Sequence, residues 1–334
     1  MLAVPRVTPE EAEKIALRYY GVSASAERLA AEHDDAFRLT TAAGRSRLLK
    51  IGVADAAGEP VSFQTAVLLH LAAAAPHLPV QRVTPALDGE PLGRAAVDAG
   101  LRRETGATLA RLNLALRGLR HPGARRTHLW DLQNFSALRP LLGELPGDAL
   151  LPEVSRALPP GARLPAGGLR AALADCLDRF DRRVRPRLAH APVQVIHTDF
   201  HGDNLLTDGY RITGILDFGD ALAGPVAMDV GVAACYQLGP PPDVLPPALD
   251  LVAGYHAADP LRPADLTLAA EFIVARVAAR IIVSQANALR EPANRAYLLR
   301  RTPQAIGHLA ALRLLTPGDS ARSLRAACGM TGRT

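Results

Sequence analysis

The chain has 334 residues, with 38 Lys plus Arg against 33 Asp plus Glu, a net charge of +5 and three cysteines. That length suits one large two-lobed unit or two modest ones, and 49% hydrophobic with 21% charged residues excludes a largely disordered chain. Cys176, Cys235 and Cys328 are odd in number and far apart, which excludes a disulfide framework, and no apolar run approaches the ~18 residues of a membrane helix.

The opening MLAVPRVTPEEAEK lacks the basic-then-apolar plan of a leader, so the expected location is cytoplasmic. Basic residues are scattered and not interleaved with aromatics, so neither a nucleic acid nor a membrane is an expected partner. Only two of the 38 basic residues are lysines, Lys14 and Lys50. In a chain so rich in Arg, a retained Lys marks a place where a compact point charge serves better than a planar fork. Lys14 lies in an acidic surface helix. Lys50 sits in the apolar SRLLKIGV, where the plainer reading is a strand-end Lys reaching solvent.

Thr8-Pro9-Glu10-Glu11 predicts a capped helix running to about Tyr20. Strands are expected over 36–41 and 45–53, joined around Ala43-Gly44 as a hairpin. Pro60 opens a second helix with Phe63, Val67, Leu68 and Leu71 at helical spacing. A short strand over 80–83 leads to an Asp88-Gly89 turn. Residues 1–95 thus read as a small α+β lobe, and 96–334 as a mainly helical one. In the second lobe Leu101, Leu109, Leu112, Leu116 and Leu119 mark one helix and 168–188 another. The Pro- and Gly-rich 145–168 reads as a mobile surface loop. Helices are expected over 226–238, 245–256, 263–289 and 292–315.

One strand-rich island, residues 193–220, interrupts the helices. A strand over 193–196 precedes the polar loop 197–203. Two further strands then flank Asp208-Gly209, a dipeptide of tight hairpins. Asp199, Asn204 and Asp217 therefore converge at one end of a small sheet. A carboxylate beside an amide oxygen makes a hard oxygen site for Mg²⁺. A further carboxylate can accept the proton of a hydroxyl. Phosphoryl transfer needs these parts, because its catalysis is mostly positioning and charge neutralisation. Protein kinases place a catalytic Asp, an Asn five residues later, then the Asp of a DFG. Here Asp199 precedes Asn204 by five, Asp217-Phe218-Gly219 follows, and Lys50 lies on an upstream strand.

HTDFHGDN followed by ILDFGD resembles the aminoglycoside phosphotransferase and choline kinase superfamily. HLWDLQNF (128–135), ILDFGDALAGPVAMDVGVAACY (215–236) and residues 275–299 are similar to its hydroxylysine kinase-like branch. The resemblance implies a two-lobed protein-kinase-like fold, ATP or GTP as phosphate donor, Mg²⁺ as cofactor, and a small hydroxylated amine or amino acid as acceptor. It implies Asp199 as catalytic base, His197 as the residue orienting the catalytic loop, and Asn204 and Asp217 as metal ligands. It also implies Lys50 at the nucleotide phosphates. A Glu on the helix after the Lys strand normally pairs with that Lys. Glu59, at the start of that helix, is the candidate, and Gln64 is the other polar residue with reach. The chain passes from Asp88-Gly89-Glu90 straight into PLGRAAVDAG, so one strand and part of the hinge of the nucleotide cradle are expected to be missing.

On the acceptor side, Asp220 and Asp131 join Asp199 in favouring a cationic acceptor, and Arg276 is the candidate for an acceptor carboxylate. Arg276 and Arg280 share one helix face; pairing with acids is the plainer reading of both. Asp229 reads as a loop-bracing carboxylate, Trp130 as core, and His201 as packing beside the catalytic Asp. A zinc-hydrolase reading of His197-x-Asp199-x-His201 lacks a second His cluster to complete the shell. The alternative function is a catalytically reduced kinase-fold protein that binds a small molecule or a partner.

Overall fold

The computed structural model describes residues 7–29, 35–51, 59–80, 90–91, 98–158 and 167–330. The chain starts with α1 (Pro9–Tyr20), whose N-terminus is closed by a capping box: Thr8 accepts from Glu11 N, and the Glu11 side chain accepts from Thr8 N. Gly21, at φ 64°, ends the helix. Strands β1 (Ala24–Leu29), β2 (Asp35–Thr41) and β3 (Ser46–Ile51) form an antiparallel sheet in that order. The hairpin was expected; β1, with its charged Glu27 and Arg28, was not. Ala12 and Ala16 of α1 pack on Phe37, Leu39 and Leu49 in a small separate core. Lys50 is one residue past Leu49 and pairs with Ala36 in the register, so it points to the opposite face, away from α1. A strand's period of two thus sends the one apolar-segment lysine towards the rest of the molecule.

Helix α2 (Glu59–Ala74) buries Phe63, Val67 and Leu71 in the main core. The proposed boundary at residue 95 and the Asp88-Gly89 turn lie outside the described residues. Of the expected strand over 80–83, Val80 is described, and it bridges Ile215. The two-residue β4 (Glu90–Pro91) pairs with β6 (Leu205–Thr207).

The remainder is helical: α3 (Ala99–Leu116), α4 (Arg139–Glu144), α5 (Pro152–Ala157), α6 (Leu169–Arg183), α7 (Arg185–Leu188), α8 (Val226–Cys235), α9 (Pro246–Ala258), α10 (Pro263–Arg290), α11 (Arg295–Leu299), α12 (Thr302–Leu312) and α13 (Pro317–Ala327). The stretch 145–168, read as a loop, carries α5 and buries Leu151 and Val154, because a Pro at the first helical turn starts a helix as readily as it breaks one. The single helix expected over 292–315 is broken after Leu299, and Pro303 sits in the first turn of the next helix, α12; α13 follows it. Helices α3 and α9 cross in near backbone contact. A Cβ at Gly106 would lie 1.9 Å from Leu251 O, and one at Gly254 2.0 Å from Arg103 O, so both crossing points require glycine. The 28-residue α10 is buried on almost every side and is the axis on which α6, α8, α12 and α13 pack. Among the described residues, no helix is long and apolar enough to cross a membrane.

Two small sheets carry the site. Strand β5 (Val193–Ile196) pairs with β8 (Leu222–Pro225), and β6 pairs with β7 (Ile212–Ile215). The β6–β7 connection spans four residues rather than two. The Asp208 carboxylate accepts from the Tyr210 and Arg211 amides, an Asx turn that replaces the tighter one.

Candidate active site

Strand β5 delivers His197, Thr198 and Asp199 from a buried end, Val195 and Ile196. Thr198 has φ 65°, a costly value for a β-branched residue. Buried Asp229 of α8 holds it there, accepting from Thr198 N at 2.7 Å and His197 N at 3.3 Å. The Thr198 hydroxyl donates to Asp220 O at 2.7 Å. His197 is fully buried against Phe218 and Phe200. Its Nε2 donates to Leu216 O at 2.9 Å, and its Nδ1 accepts from Asp199 N at 3.2 Å. The imidazole therefore ties the loop bearing Asp199 to the strand that leads into Asp217. Burial acts first on Asp229, pushing its carboxyl above the usual range.

The β6–β7 register sets Asn204 opposite Leu216, and Leu216 N donates to Asn204 O at 2.8 Å. Asn204 and Asp217 are thus brought to one sheet end. Asn204 Nδ2 donates to Asp199 Oδ2 at 2.8 Å and Asp199 O at 2.9 Å, which leaves the amide oxygen as its acceptor. Asp217 has φ 55°, and its Oδ1 accepts from Gly219 N at 3.0 Å and from Lys50 Nζ at 2.6 Å. Its side chain is 39% exposed. Lys50 meets Asp217 here; of the two α2 candidates, the side chain of Glu59 lies outside the described residues. The Gln64 amide lies 3.5 Å from where a Cβ at Gly219 would stand, beside the same turn. An amide oxygen and a half-exposed carboxylate are hard oxygen donors and fit Mg²⁺ by type. Among the described residues, no group of three or more His, Cys, Asp or Glu forms a metal cluster, which leaves the zinc-hydrolase reading without a shell.

Both oxygens of Asp199 are held. Oδ1 accepts from Arg276 Nη2 at 2.7 Å, and Oδ2 lies 3.2 Å from His201 Nε2 as well as on Asn204. His201 Nδ1 accepts from Asp203 N, so Nε2 carries the proton that faces Asp199. Burial would raise the Asp199 pKa, but His201, then Arg276 and His197, outweigh it and hold the carboxyl well below its usual range. Arg276 is 2% exposed. Its guanidinium stacks 4.6 Å from the Trp130 ring and 5.5 Å from the Tyr236 ring, and donates to the Tyr236 hydroxyl at 3.0 Å. Arg276 thus reaches Asp199, where a substrate carboxylate was expected. Trp130, expected as plain core, is one face of that stack.

Asp220 stands beside Asp199, and burial together with the Asp199 charge pushes its carboxyl up. Asp131 caps a 3-10 turn, accepting from Gln133 N, Gln133 Nε2 and Asn134 Nδ2. The segment around it explains HLWDLQNF: His128 Nε2 donates to Asp220 O at 3.0 Å and Gln133 Nε2 to Ala223 O at 3.0 Å. Arg126, which the sequence did not single out, donates Nε to Ala221 O at 3.1 Å and Nη2 to Gly219 O. Residues 126–133 therefore brace the turn after Asp217 from outside. Nothing local in RTHLWD signals this; the contacts span 90 residues or more.

The model of the phosphotransferase enzyme family matches residues 25–266. The hydroxylysine kinase of Danio rerio is 23% identical, with 92% of each chain covered. Among solved structures, a microcompartment-associated aminopropanol kinase superposes with TM-score 0.59 at 19% identity, covering 94% of this chain and 97% of that one. An amicoumacin kinase in complex with AMP-PNP and Ca²⁺ superposes with TM-score 0.54 at 14% identity, covering 84% and 88%. This chain has the protein-kinase-like fold of these neighbours and belongs to the phosphotransferase enzyme family.

Proposed function

We propose that the protein transfers the γ-phosphate of ATP or GTP to a hydroxyl of a small amine-bearing acceptor. The convergence of Lys50, of Asp199 and Asn204 on one loop, and of Asp217, from three separate stretches of chain, carries this reading. Asn204 and Asp217 are the residues that would hold Mg²⁺, which when bound neutralises charge on the phosphates. Lys50 adds a point charge on the same side. Asp199 orients the acceptor hydroxyl and takes its proton as transfer completes. A carboxyl held this far below its usual range is a better orienting acceptor than an early base. Asp220, beside Asp199, supports an ammonium on the acceptor. The names of the relatives, a hydroxylysine kinase and an aminopropanol kinase, support an acceptor of that kind.

The test is a coupled assay over hydroxylated amino acids, amino alcohols and aminoglycosides with Mg²⁺ and either nucleotide. Acceptor-dependent release of nucleoside diphosphate that vanishes in Asp199→Asn supports the proposal. Tight nucleotide binding with no acceptor-dependent release favours the catalytically reduced alternative.

A further inference from the structure

The chain directly after Asp217 is held by its carbonyls. Arg126 donates to Gly219 O and Ala221 O, His128 and Thr198 to Asp220 O, and Gln133 to Ala223 O. Arg126 differs from the others in one respect: it takes the carbonyl of the residue that Asp217 itself binds. Gly219 N donates to Asp217 Oδ1 at 3.0 Å. A Cβ at Gly219 would lie 2.8 Å from that same oxygen, so the close approach requires glycine. Glycine is also the residue with the most backbone freedom to lose. Asp217 lies at φ 55°, and such a conformation persists only where its surroundings over-determine it. The missing constraint is Arg126, which holds the Gly219 carbonyl while Asp217 holds the Gly219 amide.

The guanidinium is itself placed by α2. Its carbon lies 6.0 Å from the ring centroid of the fully buried Phe63, which stacks on His121 at 5.3 Å. Burial draws the Arg126 pKa down, and the Asp220 charge offsets part of that. The two bonds go to carbonyls two residues apart, a task for the planar fork and not for a point charge. We infer that Arg126 is a positioning residue for Asp217 as a metal ligand: its bridge between two carbonyls fixes Gly219, and through Gly219 the carboxylate. This rests on the kinase reading for the metal, though not for the hold on the turn. The charge of Arg126 alone would act in the opposite direction. A cation near the site repels Mg²⁺, so removing it with Asp217 unmoved would tighten metal binding. Loss of position weakens it, and the sign of the change separates the two.

Two measurements on the full chain test this. Calorimetry with ADP and with GDP, across Mg²⁺ concentrations and in EDTA, reads how far the metal strengthens nucleotide binding. In Arg126→Met the Mg²⁺ concentration for half of that effect should rise about 10–100-fold, the usual cost of losing a group that orients a metal ligand. Affinity in EDTA should stay the same. Arg126→Lys keeps the charge but cannot span both carbonyls. It should lose at least as much, and it serves if the Met variant does not fold. Amide exchange over residues 216–222 in the metal-free chain should be faster in both variants, with exchange in α10 unaltered. A Mg²⁺ requirement unchanged or lowered in Arg126→Met, a full metal response in Arg126→Lys, an equal loss in Mg²⁺ and in EDTA, or unaltered exchange over 216–222 would overturn the assignment. Faster exchange in the variants, in a chain whose intact form gains nothing from Mg²⁺, would keep the hold on the turn and remove the kinase reading.

Discussion

Lys50 Nζ and Asp217 Oδ1 meet at 2.6 Å although 167 residues separate them. The pair joins the N-terminal sheet to the turn after β7, and each partner neutralises the other while no phosphate is bound. The pair is partly exposed, so its own contribution to stability is small. On the proposed function, its value lies in keeping the ammonium where a phosphate would arrive. A guanidinium at this place is longer and planar and cannot present the same point charge. Lys50→Arg should lower kcat/KM by about 10–100-fold, the value of a charge-assisted contact. The melting temperature should move by no more than a few degrees. Steady-state kinetics close to those of the unaltered protein would make Lys50 a tether and nothing more.

Asp217 has a second test. Its φ of 55° tolerates Asn better than most residues, so Asp217→Asn keeps the turn and removes the charge. Turnover should be almost abolished while the fold melts within a few degrees of the original. Mg²⁺-dependent nucleotide binding should weaken as well. Retained turnover would show that Asp217 belongs to the turn and not to the metal.

Asp229 is a positioning residue, and its loss should register in both stability and rate. It accepts two backbone amides and holds Thr198 at a positive φ. Asp229→Ala leaves two buried N–H groups unpaired, at about 1–3 kcal/mol each. Thermal unfolding should shift down clearly, and kcat should fall more than KM rises because the Asp199 loop relaxes. Asp229→Asn retains one acceptor oxygen and should recover part of both. A variant as stable as the original would mean that Thr198 holds its conformation without help.

The convergence of Asp199, Asn204 and Asp217 was legible because its spacing is local. Asp199 and Asn204 are five residues apart, and one hairpin brings Asp217 back beside them. Lys50 was legible from a compositional oddity, one of only two lysines in an arginine-rich chain and the one in an apolar segment. The partner of Lys50 was not, because pairing across 167 residues leaves no trace in spacing. The same holds for Arg126, whose bonds to Gly219 and Ala221 depend on a docking of segments that periodicity does not encode. Arg276 was marked by its charge in an apolar helix, but charge alone could not say whether a substrate or Asp199 would receive it. Strand β1 was missed because Glu27 and Arg28 break the apolar pattern; β1 is an edge strand that shows charge to solvent. The split of the 292–315 helix turned on Pro303, which follows Thr302 at the start of a new helix rather than inside an old one.

The last prediction concerns the protonation of Asp199. Burial alone would lift its pKa above the ordinary ~3.9, yet His201 and Arg276 carry it below. A depressed folded value contributes stability that is present above the unfolded pKa and is lost as pH falls through the folded one. Asp199 therefore stays ionised through the mildly acidic range, and no loss of kcat between pH 5 and 8 should arise from it. Arg276→Met removes the guanidinium charge beside Asp199 and leaves the burial in place. The Asp199 pKa must then rise, and an acid limb should enter the kcat profile from below. Removing one partner of a buried pair costs about 3–5 kcal/mol, so the melting temperature should also fall. Arg276→Lys, which keeps a charge, serves where the Met variant is too unstable to assay. Asp199→Asn supplies the reference: kcat should drop by about 10²–10⁴-fold, with nucleotide affinity kept because Asn204 and Asp217 are untouched. The decisive measurement is kcat against pH for the intact protein and the Arg276 variants, with a substrate whose own groups do not titrate in the range. If the acid limb stands at the same pH in every variant, Arg276 does not govern the ionisation of Asp199, and the short contact between them is packing alone.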